Sequence, residues 1–130
     1  MKKNGNNRET LQQFEKALYR LEEALQRSAD DDGLVIDATI QRFEFTFELC
    51  WKSLKKMLGE EGFEVTTPRD ALQKAYVAGW LDHEQTWLNM LRDRNLTSHT
   101  YREEQARLIY SRIPSYCRLF RKLYVFLSER

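Results

Sequence analysis

Proline, glycine, cysteine and histidine are all scarce in this 130-residue chain, which has two prolines, five glycines, two cysteines and two histidines. So few turn-forming residues exclude a strand-and-turn architecture and leave long regular helices. Cys50 and Cys117 stand alone inside helical patterns with no C-x-x-C spacing, so they read as small core residues rather than a disulfide or ligand pair. No histidines cluster with them, and neither a metal nor another cofactor is expected. No apolar run is long enough to span a bilayer, and the polar start Met1-Lys2-Lys3-Asn4-Gly5-Asn6-Asn7 lacks the apolar region of a signal peptide. A cytoplasmic protein with no membrane attachment is expected.

What is present is a globular balance, 42% hydrophobic and 32% charged. That is enough for one core, so residues 1–130 are expected to form one domain with a flexible segment at 1–8. The net charge of +1 conceals an asymmetry. From Met90 onward there are nine Lys and Arg against four Asp and Glu, a net of +5 that leaves −4 for the rest. A basic end of this kind attracts phosphate-bearing partners, although charged helix faces are also ordinary solvated surface.

Leu11, Phe14, Leu18, Leu21 and Leu25 recur in steps of three and four, which predicts an amphipathic helix from Thr10. The cluster Ser28-Ala29-Asp30-Asp31-Asp32-Gly33 interrupts it and suits the cap of the next helix. That second helix is expected from about Leu34 to Leu58, with Ile36, Ile40, Phe43, Phe47, Trp51 and Leu54 in register and Phe45 and Cys50 widening the stripe. Thr67-Pro68 is a helix start, which predicts a third helix to Ala78. Asp82 is expected to cap a fourth helix from His83 to Leu96, with Trp87, Leu88 and Leu91 inward. Thr100-x-x-Glu103 has the form of a capping box for a last helix, which Pro114 should bend or restart before Tyr116, Phe120, Leu123, Tyr124 and Leu127 continue its apolar face. The expected fold is all-α, an antiparallel bundle of four to five helices with two long N-terminal ones. A homodimer is expected to cover part of the apolar surface, unless the bundle buries it all internally.

Residues 91–101, Leu-Arg-Asp-Arg-Asn-Leu-Thr-Ser-His-Thr-Tyr, break the alternation of polar and apolar positions. A straight helix would bring Arg92, Asn95 and His99 to one face. Thr97, Ser98 and Thr100 are poor interior helix residues and good caps, so a helix end near Leu96 and a corner at His99 are expected. An arginine that grips phosphate and a histidine that moves protons near neutral pH are parts for cleaving a phosphodiester without metal. The ordinary alternative is a corner histidine bonded to its own backbone beside solvated arginines.

Arg94-Asn95-Leu96-Thr97-Ser98-His99-Thr100-Tyr101 fits the R-x4-H-x-Y signature of HepT-like proteins in the HEPN superfamily. More of the chain resembles the nucleotidyltransferase substrate-binding proteins encoded beside a minimal nucleotidyltransferase: the first helix, residues 42–52, Thr67-Pro68-Arg69, and Trp87 through Tyr101. The resemblance implies a helical bundle that dimerises with its R-x4-H segments facing across a cleft. It assigns metal-independent RNA cleavage to Arg94 and His99, arranged by Asn95, within a toxin–antitoxin pair. It also implies that Tyr101 accepts AMP from the partner nucleotidyltransferase. Arg92, Thr97 and Ser98 are expected to contact RNA or nucleotide, and whether Arg92 or Arg94 faces His99 stays open. The older family reading is a non-catalytic subunit that positions substrate for the nucleotidyltransferase, and a third possibility is a dimeric scaffold. The chain itself has no Gly-rich phosphate loop and no paired-aspartate nucleotidyltransferase signature, so that chemistry is expected of the partner. His83 reads as a surface residue, and Glu48 with Lys52 as a surface pair.

Overall fold

The computed structural model describes residues 5–29, 33–98 and 102–130. Five helices account for the architecture: α1 (Gly5–Ala24), α2 (Leu34–Glu60), α3 (Pro68–Val77), α4 (Glu84–Thr97) and α5 (Glu103–Ser128), with no strand among the described residues. Helix α1 begins at Gly5 rather than near Thr10, and residues 1–4 lie outside the described residues. Asn7 gives a reason for the earlier start, because its amide donates to the Lys56 carbonyl and to Glu60 at the far end of α2. Lys56 also donates to Thr10 at 2.8 Å, and Arg42 donates to the Arg20 carbonyl at 2.7 Å. The bonds of Asn7 and Lys56 tie the start of α1 to the end of α2, and that of Arg42 ties the end of α1 to the first half of α2, so the two long helices run antiparallel.

Helix α5 packs on both. Phe120 is its centre, with the rings of Phe14 on α1, Phe43 on α2 and Trp87 on α4 at 5.9, 6.2 and 5.8 Å between centroids. All four side chains are buried, so one residue of α5 joins three other helices. Arg121 lies one position further on and pairs with both Glu15 and Glu22 of α1.

The punctuation was legible in part. Thr67 caps α3, its hydroxyl accepting from the Asp70 backbone N–H at 3.1 Å with Pro68 in the first turn. Three other expectations are corrected. Asp82 does not cap α4; His83 occupies that position at φ 60°, and Asp82 accepts from Lys122 of α5 at 2.6 Å. The capping-box start at Thr100 fails because α5 begins at Glu103 with Arg102 as its N-cap, which puts the glutamate too early to fold back; Thr100 lies outside the described residues. Pro114 does not restart the helix. It sits on the exposed face, where the carbonyl deprived of its amide partner can turn to water. Phe45 also departs from expectation, being 62% exposed rather than part of the core stripe. Two residues from Phe43 and from Phe47 in a helix, it points roughly 200° away from each.

Candidate functional site

The final turns of α4 carry the motif. At about 100° per residue, the consecutive side chains Arg92, Asp93 and Arg94 must leave the helix in three directions. They meet three environments. Asp93 is fully buried, Arg94 is half-buried, and Arg92 is exposed together with Asn95 and Ser98.

Asp93 faces α5. Arg112 Nη1 donates to both of its carboxylate oxygens, at 2.8 and 3.0 Å, and the Tyr116 hydroxyl donates to Oδ2 at 2.5 Å. A buried carboxylate is costly unless such donors satisfy it, and here a charged and a neutral donor do so. The hydrogen bond that Arg112 donates to Asp93 raises the Arg112 pKa above its ordinary value. Burial is the main cause that pushes the Tyr116 phenol well above the usual tyrosine range, and the bond to Asp93 adds to it. The Arg112 side chain is 36% exposed although the carboxylate it binds is fully buried, so it spans from the interior to the surface.

Arg94 faces α2 instead. Its Nη2 lies 3.7 Å from Glu48 Oε2, too far for a strong hydrogen bond. Glu48 also accepts from the Trp51 indole at 3.1 Å and pairs with Lys52 at 3.4 Å. The surface-pair reading of Glu48 and Lys52 was therefore incomplete, because Glu48 is the acid that α2 presents to the motif arginine. One turn earlier on α2, Glu44 accepts from the Thr97 hydroxyl at 2.7 Å. The same hydroxyl lies 2.8 Å from the Arg94 carbonyl, and that of Ser98 donates to the Asn95 carbonyl at 2.9 Å. These back-bonds compete with the helical ladder and fit the end of α4 at Thr97.

Arg92 and Arg94 thus leave α4 on opposite sides of Asp93. His99 and Tyr101 lie outside the described residues. Beside Thr97 and Glu44 opens a cavity of about 210 Å3, with Ile40, Ala106 and Ile109 as apolar walls and Gln41, Arg102 and Gln105 as polar ones.

Sequence reasoning missed Asp93, Glu44, Arg112 and Tyr116 as parts of this region. For Asp93 a signal was available. It falls in the buried register of Trp87 and Met90, in steps of three, and an acid in a core stripe must find a partner. Nothing local pointed to Arg112 or Tyr116 as that partner.

Residues 9–129 match the family model described as nucleotidyltransferase substrate binding protein like. The chain is 32% identical over 97 residues to a Haemophilus influenzae protein named Probable ribonuclease HepT, covering 71% of this chain and 66% of that one. Among solved structures, one from Thermus thermophilus superposes with a TM-score of 0.81 at 41% identity, over 88% of this chain and 98% of the other. Another, from Haemophilus influenzae, is described as revealing the fold of a substrate binding domain of a nucleotidyltransferase. It gives a TM-score of 0.79 at 26% identity, covering 91% and 98%.

Proposed function

The chain belongs to the nucleotidyltransferase substrate binding protein-like family, and from that premise we propose that it is a metal-independent endoribonuclease, the toxin partner of a minimal nucleotidyltransferase encoded by a neighbouring gene. The observation that carries this reading is the state of Arg94. It stands half-buried at the last turn of α4, held by one carboxylate 3.7 Å away and flanked by the exposed Asn95 and Ser98. A guanidinium so loosely engaged is free to exchange Glu48 for a phosphate, which it can grip bidentately. The named relative's description as a probable ribonuclease supports the same reading.

In this mechanism His99 accepts the proton of an RNA 2′-hydroxyl as its oxygen attacks the adjacent phosphorus. The bond to the 5′-oxygen breaks, and that oxygen takes a proton from a second imidazole. A cyclic phosphate and a free 5′-hydroxyl result. Arg94 neutralises the charge that gathers on the phosphoryl oxygens, and Asn95 orients the pair. The second imidazole is His99 of another copy in a two-fold homodimer. Arg92, Ser98 and Thr97 border the strand. AMP placed on Tyr101 by the partner would add bulk and negative charge where phosphate binds, which would silence cleavage.

A second reading, a non-catalytic subunit that holds substrate for the nucleotidyltransferase, is favoured by the cavity beside Thr97, whose apolar walls and amides suit a small ligand. RNA incubated with the protein in excess EDTA separates the two. Cleavage that disappears in Arg94→Ala and in His99→Ala supports the nuclease. Intact RNA together with a stable complex with the nucleotidyltransferase supports the binding subunit.

A further inference from the structure

Of the eight arginines from Arg92 onward, five have a carboxylate partner and Arg92, Arg102 and Arg118 have none among the described residues. Arg94 pairs with Glu48, Arg107 with Glu103, Arg121 with Glu15 and Glu22, and Arg130 with Glu61. Arg92 is exposed and forms no ion pair among the described residues. Arg112 has its one carboxylate on the buried side, so the outward edge of its guanidinium meets no acid among the described residues. Arg92 immediately precedes Asp93 on α4, and Asp93 binds Arg112 on α5, so the two arginines stand on either side of one buried carboxylate. The positive charges of Arg112 and Arg92 both act to lower the Tyr116 pKa, against its overall rise from burial.

From this arrangement we infer that Arg112 and Arg92 form a phosphate clamp for the RNA strand where α4 meets α5, with Asp93 and Tyr116 as positioning residues that hold Arg112 in place. The inference rests on the RNA-cleaving reading and extends it, since Arg112 belongs to no motif and stands on a different helix. Two features make the clamp suitable. Arginine presents its donors in a planar fork, so Nη1 can be committed to Asp93 while another edge binds phosphate. The buried carboxylate also fixes the guanidinium in advance, so little side-chain freedom is lost when the strand arrives.

The test uses the full chain carrying His99→Ala, which keeps RNA intact, and a labelled single-stranded RNA whose binding is followed by anisotropy over a range of salt concentrations. Each phosphate contact on a single strand contributes about 0.7 to the slope of log affinity against log salt. Arg92→Gln should flatten the slope by about that amount, and Arg112→Lys should flatten it as well, because the compact ammonium is drawn onto the buried carboxylate and away from the strand. Arg92 is exposed and makes no described ion pair, so its variant reports on the clamp whatever happens to the fold of the other. Asp93→Asn supplies a test by sign. Removing a negative charge should tighten RNA binding if only net charge counts, whereas loss of positioning weakens it. An unchanged slope in both Arg92→Gln and Arg112→Lys, with RNA still bound, overturns the clamp and leaves the nuclease reading standing. Tighter binding by folded Asp93→Asn removes the positioning role. Failure of the His99→Ala chain to bind RNA even at low salt overturns the nuclease reading itself, and the clamp with it.

Discussion

Two ion pairs formed by consecutive residues of α4 differ in nearly every respect. Asp93 is fully buried, meets Arg112 at 2.8 Å and carries a second bond from Tyr116; Arg94 is 30% exposed and meets Glu48 at 3.7 Å. The first is a fixed part of the fold, because breaking it strands a charge away from water. The second is exchangeable, because water or another anion can replace either partner at little cost. An ion pair's distance and burial therefore distinguish an anchor from a contact that a substrate can take over.

Several substitutions would break or sharpen this contrast. The largest effect is expected on chemistry. His99→Ala and Arg94→Ala should each lower RNA cleavage by roughly 10²–10⁴-fold, the usual weight of one general acid–base or charge-stabilising group, as read from initial rates in EDTA. For Arg94→Ala, the thermal midpoint should stay near that of the parent chain. Arg112→Ala should do the reverse of Arg94→Ala in stability, costing about 3–5 kcal/mol in denaturant unfolding because Asp93 is left buried and unpaired.

Tyr116→Phe removes the neutral donor to the same carboxylate and should cost about 1–3 kcal/mol. It also tests a pH dependence whose sign follows from the raised phenol pKa. The folded state favours the protonated phenol, so its contribution is fully present below the ordinary tyrosine pKa of about 10 and is lost as pH rises towards the folded value. Alkaline unfolding followed by circular dichroism should therefore be less steep in Tyr116→Phe than in the parent. The smallest effect is expected for Glu48→Gln, within about 1 kcal/mol of parental stability. If Glu48 competes with RNA phosphate for Arg94, this variant should lower KM for RNA without a matching fall in kcat.

The fold was legible where its causes are local. Thr67 and Pro68 marked the start of α3, and the spacing of Leu11, Phe14, Leu18 and Leu21 marked the buried face of α1. It was illegible where a partner comes from far along the chain. Asp82 looks like a helix cap until Lys122, forty residues later, claims its carboxylate. Phe45 was misplaced for another reason, because an apolar residue near a stripe is not on it. In the candidate site, the motif residues could be named from their spacing, but the support of Asp93 comes from residues 19 and 23 positions downstream and could not be read locally.

The fixed pair on α4 also constrains how this segment can change length. Because Asp93 must face α5 for Arg94 to face α2, inserting one residue earlier in α4 would turn everything beyond it by about 100°. That rotation would take the Asp93 carboxylate off Arg112 and direct a neighbouring side chain into its buried site. Insertions of about seven residues, close to two full turns, would nearly restore both directions. Relatives that keep both pairs should therefore vary in length in the loops around α4 and hardly at all within it.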